Sequence, residues 1–181
     1  MDKSMPIGLE IERRFLILRP DVEALVLRYG AKVREIVQTY LVTPEGYSSE
    51  RVRCTDDGIE RVYTHIRKRR VAHGSALEEE LRIDEDEYRA LLLCADPALH
   101  AIEKRRVSIP FGGRCYEIDL YPFFRSVAVL EVELDSIDAP LTMLPELAVL
   151  REITGVKALS NHALAARVPS EESLLRSWNN Q

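Results

Sequence analysis

Apolar and charged residues alternate with a period of two through most of this chain. Leu130, Val132 and Leu134 interleave with Glu131, Glu133 and Asp135, and Tyr116, Ile118 and Leu120 with Glu117, Asp119 and Tyr121. Val52 and Cys54 interleave with Arg51 and Arg53; Val62, Thr64 and Ile66 with Arg61, His65, Arg67 and Arg69; Leu81 and Ile83 with Glu80 and Arg82. Such alternation sends successive side chains to opposite faces of a strand. It predicts strands over 7–18, 32–43, 48–54, 59–70, 76–83, 100–110, 114–121 and 126–135. Turns are expected at Pro44-Glu45-Gly46, Asp56-Asp57-Gly58 and Gly112-Gly113, where glycine and aspartate supply turn conformations. A helical spacing appears at Val22–Tyr29, closed by Gly30, and at Glu85–Ala95, capped by Asp84 and stopped by Pro97. Further helices are expected near Leu144–Arg151 and Ser160–Arg167, and from Pro169 to Trp178.

Most of the strands are joined by short turns, and short turns require antiparallel neighbours. Eight such strands are about the number that closes a barrel around a small ligand. One face of nearly every strand is apolar and the other ionic. An open sheet with one face in water would show the same split. Two features favour a closed barrel with its ionic face inward and its apolar face covered by helices. The ionic faces are nearly pure Arg and Glu rather than mixtures of Ser, Thr, Lys and Gln. The signs also segregate, acids at 10/12, 117/119 and 131/133, and bases at 51/53, 67/69 and 104/106.

Length and charge narrow the function. The chain has 181 residues, enough for one domain with a proper core, and is 46% apolar and 30% charged. A net charge of −5 argues against nucleic acid as the partner. No apolar run is long enough to span a membrane, and the N-terminus does not read as a signal peptide. Cys54, Cys94 and Cys115 are widely spaced and odd in number, fitting neither a disulfide framework nor a zinc site. A cytoplasmic protein is the expectation. Clustered carboxylates repel unless a cation lies among them, and all-oxygen donor sets suit Mg²⁺ or Mn²⁺. Guanidinium groups suit phosphate oxygens. A polyphosphate bound with a divalent metal is therefore the guest that this pattern implies.

At this point the residues resemble the CYTH-domain family, the triphosphate tunnel metalloenzymes. Its E-x-E-x-K hallmark reads here Glu10-Ile11-Glu12-Arg13-Arg14, with Arg14 in place of the lysine. Gln38-Thr39-Tyr40-Leu41, Arg51-Val52-Arg53, Ile66-Arg67 and Glu78-Glu79-Glu80-Leu81 follow in the family's order. So do Glu103-Lys104-Arg105-Arg106, Glu117-Ile118-Asp119-Leu120, Leu130-Glu131-Val132-Glu133 and Ser160-Asn161. The run before Ser160 reads Val156-Lys157-Ala158-Leu159 and lacks the family's arginine.

The resemblance implies a mainly β, α+β fold: an eight-stranded antiparallel tunnel over residues 1–168 with helices packed outside. Residues 169–181 would form a helical extension. It further implies hydrolysis of a triphosphate-containing small molecule, inorganic triphosphate first, with Mg²⁺ or Mn²⁺. Asp119, Glu131 and Glu133 resemble one metal site, and Glu10 and Glu12 the acids of a second. Arg51, Arg53, Arg67, Lys104 and Arg106 resemble the phosphate clamp, with Glu80 orienting the basic groups. Arg14 and Tyr40 stand where the family positions water. A class IV-type adenylyl cyclase and a non-catalytic polyphosphate- or nucleotide-binding module are the competing expectations. A homodimer is left open.

Overall fold

The computed structural model describes residues 7–73 and 75–176. The alternating segments become β1 (Ile7–Leu18), β2 (Lys32–Tyr40), β3 (Ser49–Asp56), β4 (Arg61–Ala72), β5 (Ser75–Ile83), β6 (Ile102–Phe111), β7 (Arg114–Leu120) and β8 (Val127–Glu133). They are hydrogen-bonded in the order β5-β4-β3-β2-β6-β7-β8-β1, all antiparallel, and β1 returns to pair with β5. The result is a closed eight-stranded barrel.

Closure falls on β1. Its residues Glu12–Leu18 pair with β8 along one edge, and Ile7–Ile11 pair with β5 along the other. Beyond the end of β5 that second edge would leave backbone groups bare, a cost the fold avoids. A ninth strand, β9 (Val149–Glu152), pairs there with Phe15–Ile17. The helix expected at Leu144–Arg151 is therefore absent. Leu144 and Leu147 sit buried in the outer apolar layer, and the next residues complete the β1 edge, an outcome that local helical spacing cannot foresee. The other helices are α1 (Val22–Tyr29), α2 (Glu85–Leu92), α3 (Asn161–Ala166) and α4 (Glu171–Arg176). Asp21 and Asp84 cap α1 and α2, and Gly30 ends α1 in the left-handed conformation. Residue Trp178, expected in the last helix, lies outside the described residues.

Three apolar layers hold the barrel. Phe15, Ile17, Ile109, Tyr116, Ile118, Leu130 and Val132 form the outward face of β1 and β6–β8, covered by α1 and the 139–147 segment. Leu41, Val52 and Ile83 lie under α2. The third layer departs from the expectation that all apolar faces point outward. Leu16, Ile102, Tyr121, Val127 and Val129 pack with Ile153, Leu159, Leu164 and Leu174 from the C-terminal segments. Leu16 is two residues on from Arg14 and Val129 two before Glu131, so both share the inward face with those charges. The inward stripe of β1 and β8 thus changes from ionic to apolar, and the C-terminal segments stop the barrel at the apolar end. Glu171 anchors them, accepting from the backbone N–H groups of Ser126 (2.6 Å) and Val127 (2.9 Å). Gly155, at φ +71°, turns the chain from β9 into this plug, and a Cβ there would lie 2.3 Å from the His73 ring.

Leu16→Ala is expected to lower unfolding free energy by about 2–5 kcal/mol, because a fully buried plug contact is lost. Val37→Ala, at a 37%-exposed outer position, should cost less than about 1 kcal/mol. Urea denaturation of both variants measures the difference.

Candidate active site

The inward ionic faces enclose a cavity of about 1390 Å³. Among the described residues, nine Lys or Arg and eight Asp or Glu line it, so the charges nearly balance and pair with one another. They are not mixed evenly. Glu10 and Glu12 on β1, Glu131 and Glu133 on β8 and Glu117 on β7 make an acidic wall. The register places Glu12 directly opposite Glu133 and Glu131 directly opposite Glu117. Arg51 and Arg53 on β3, Lys68 and Arg70 on β4, and Lys104 and Arg106 on β6 make a basic one.

Each wall is electrostatically uncomfortable by itself. Burial, then repulsion from Glu131 and Glu10, pushes the Glu12 carboxyl up to about 7. Glu133 is raised by burial and by Glu10 and Glu117. Across the lumen, burial and the neighbouring cations Arg51 and Arg106 lower Arg53. Lys104 is pulled down to about 8 by burial and Arg106, despite its contact with Asp119. The buried Nε atoms of Arg51 and Arg53 have no hydrogen-bond partner. Unpartnered buried N–H groups on cations are costly and are satisfied by an anion.

Some cross-wall pairs are tight. Arg106 reaches Asp119 (2.6 and 2.8 Å), Glu131 (2.6 Å) and Glu117. Arg14 donates from Nε to Glu131 (3.0 Å) and from Nη2 to the Leu159 carbonyl (3.0 Å). Burial alone would raise the Glu131 carboxyl, but Arg14, Arg106 and Lys104 hold it well below the usual carboxylate range. Arg14 in turn is held firmly protonated by Glu131 and Glu12 against the effect of its burial.

The acidic wall is an all-oxygen donor set with like charges opposed across two strand pairs, β1–β8 and β7–β8, which suits a hard divalent cation. Among the described residues, no three carboxylate, imidazole or thiol groups already converge at ligating distance. An ion held by Glu12 and Glu133, with Glu10 or Glu131 adjoining, would therefore complete its shell with water and phosphate oxygens, as Mg²⁺ commonly does.

No family model and no curated protein matches this chain. Solved structures do. The inorganic triphosphatase NE1496 is 26% identical, covering 89% of this chain and all of its own, with a TM-score of 0.55. The chain has a CYTH-type closed eight-stranded barrel fold. Two more distant structures share the fold alone. The PH1819 protein of Pyrococcus horikoshii OT3 is 19% identical over 71% of this chain and 80% of its own, at a TM-score of 0.54. The putative adenylyl cyclase HpAC1 of Hippeastrum, described as having a dominant triphosphatase activity, is 18% identical over 70% and 80%, at 0.52.

Within this CYTH-type barrel most of the residues singled out from sequence meet: Glu10, Glu12, Arg14, Tyr40, Arg51, Arg53, Glu80, Lys104, Arg106, Glu131 and Glu133 all line the cavity. Arg67 does not. Ile66 is opposite the inward Arg51 and Lys68 is opposite Ser49, so Arg67 points outward, where its Nε donates to Glu50 (3.0 Å) beside His65. Lys68 takes the inward place and pairs with Glu10. The alternation of Val62, Thr64 and Ile66 with His65, Arg67 and Arg69 predicts the opposite face for β4; the register puts Thr64 and Ile66 inward with Lys68, and residues 67–70, Arg-Lys-Arg-Arg, supply a cation to either face. Asp119 faces inward but is fully buried behind Lys104 and Arg106, its two oxygens both engaged, and Glu117 stands on the cavity wall in its place. Glu80 approaches Arg53 only to 3.8 Å, whereas Glu78 contacts both Arg51 (3.3 Å) and Lys68 (3.6 Å). Tyr40 is buried, its hydroxyl accepts from Gln38 Nε2 (3.2 Å), and burial raises its phenol.

Because the Glu12 carboxyl is raised from 4.5 to about 7 on folding, the native state holds the extra proton in that interval. Its stabilising contribution is present below pH 4.5 and is lost as the pH rises through 7. With a chelator present, wild-type stability should therefore fall by on the order of 1–3 kcal/mol from pH 5 to pH 8 relative to Glu12→Gln. Thermal melts of both proteins across that range check the sign.

Proposed function

We propose that this chain is a metal-dependent hydrolase that cleaves a phosphoanhydride of a triphosphate-containing small molecule, with inorganic triphosphate as the leading substrate. The observation that carries the reading is the opposed pair of strained walls. A metal–triphosphate complex is negative where it meets Arg51, Arg53, Lys104 and Arg106, and positive where it meets Glu12 and Glu133. It relieves both walls at once. The 26% identity to an inorganic triphosphatase along the full length of that protein supports the same reading.

The roles follow from the placement of each group. Arg51 and Arg53 offer unpartnered buried Nε–H donors and so bind phosphate oxygens. Lys68, Lys104 and Arg106 add charge that stabilises the departing phosphate. Arg14 is a fixed cation that holds Glu131 and the plug; it cannot act as a base. Asp119 positions Lys104 and Arg106. Glu12 and Glu133, with Glu10 and Glu131, would hold Mg²⁺ or Mn²⁺. When bound, such an ion neutralises phosphate charge and lowers the pKa of water. Catalysis of this kind is mostly positioning and charge stabilisation, which matches a lumen rich in cations.

Purified protein with Mg²⁺ or Mn²⁺ should release phosphate from inorganic triphosphate faster than from thiamine triphosphate or ATP, with no cyclic AMP. Tight triphosphate binding without any product would sink the enzyme reading, and cyclic AMP as the main product would replace it with a cyclase.

The face assignments give a second test by calorimetry. Arg53→Met should weaken triphosphate binding by about 10–100-fold, the worth of a charge-assisted hydrogen bond. Arg67→Met, on the outer wall, should leave the affinity within about twofold.

A further inference from the structure

Arg14 removes the proton-accepting amine from the hallmark strand, and the tunnel must still accept a proton from the attacking water. Arg14 is occupied by Glu131 and the Leu159 carbonyl and stays charged. Tyr40 is buried and raised, so its hydroxyl stays a neutral donor. The plug supplies another group. Ser160 caps α3 by accepting from Ala163 N–H (3.2 Å), and Asn161 Oδ1 accepts from the buried Tyr121 hydroxyl (2.7 Å). These two contacts fix the start of α3 and with it the direction of His162. The His162 imidazole lines the cavity and stands edge-on to the Tyr40 ring, with centroids 5.0 Å apart and planes at 75°. Among the described residues neither of its ring nitrogens has a protein hydrogen-bond partner, in contrast to His65, which is bound to Glu50 on the outer wall.

We propose that His162 is the proton acceptor of this tunnel, facing the phosphate chain beside Tyr40. The inference rests on the hydrolase reading above. In the step, a water oxygen forms the new P–O bond and the bridging P–O bond breaks. The departing phosphate leaves with the bond's electron pair. The water proton passes to an imidazole nitrogen and from there to the leaving oxygen or to solvent, so atoms and charge balance. Imidazole is the side chain whose ordinary protonation equilibrium spans pH 5–8, which suits it to this task. The titratable groups on the elements packed around it are Tyr40 on β2, Lys104 on β6 and Lys157 on the turn before α3, with Arg14 on β1 and Arg51 on β3 sharing the cavity. Carboxylates line the same cavity, Glu12 and Glu131 beside Arg14 among them, but Glu131 is paired with Arg14 and Arg106, and a bound polyphosphate adds further negative charge for the imidazole to meet.

Two measurements test the proposal. In the first, the imidazole C–H resonances of wild-type protein are titrated by NMR with and without tripolyphosphate, no metal being added. His162→Gln identifies the signal among the four histidines. The anion should raise the titration midpoint of His162 while leaving that of His65 in place, and an unmoved His162 overturns the proposal. The second compares pH–rate profiles. His162→Gln should lower kcat by about 10²-fold, leave KM within about threefold and remove the rise of kcat with pH on the acid side. An unchanged kcat and profile, in a wild-type enzyme that hydrolyses triphosphate, overturns the role of His162 alone. A wild-type protein that hydrolyses no phosphoanhydride overturns the hydrolase reading and this inference together.

Discussion

An acidic wall and a basic wall, each built of like charges and facing each other across the lumen, are the constraint on which this structure depends. Burial and the neighbouring carboxylates raise Glu12 and Glu133, and burial and the neighbouring cations lower Arg53 and Lys104. Neither wall is tolerable alone in a cavity of restricted dielectric. The barrel survives because it is closed, so each wall sees the other, and because ion pairs such as Arg106 with Glu131 and Asp119 bridge them. Those same pairs are imperfect enough to leave buried donors on Arg51 and Arg53 unsatisfied. An ionic lumen that is nearly neutral but incompletely paired favours a guest carrying both signs.

The fold supports this with apolar material placed elsewhere. The outer layer under α1 and the 139–147 segment, and the smaller one under α2, supply the burial that an ionic interior cannot. The plug adds a third apolar layer inside the barrel end. Arg14 links the plug to the chemistry: one guanidinium joins β1, the Glu131 carboxylate on β8 and the Leu159 carbonyl. Lysine, with a single compact ammonium, could not span two such partners as a planar fork does. Exchanging the hallmark lysine for Arg14 thus strengthens the connection between wall and plug while removing a group able to release a proton.

The sequence by itself determined the eight strands, antiparallel pairing where tight turns join them, the closed barrel and its largely ionic inner face. These follow from period-two patterning repeated on eight segments, a signal that is local and redundant. It also determined most of the cavity wall, since on every strand but β4 the ionic residues between apolar ones face the lumen. Only the tertiary structure decided the rest. Arg67 and Lys68 exchange roles because the register of β4 with β3 and β5 turns Ile66 and Lys68 inward, against the alternation, and residues 67–70 are basic on both faces. Asp119 lies behind Lys104 and Arg106 because depth within a face is invisible to alternation. Val149–Glu152 becomes a strand because β1 has an unpaired edge that β5 is too short to cover. The contact of His162 with Tyr40 brings together residues more than a hundred positions apart, through a plug that the strand pattern does not contain. Patterning assigns faces; register, depth and long-range edge pairing are settled only when the strands meet.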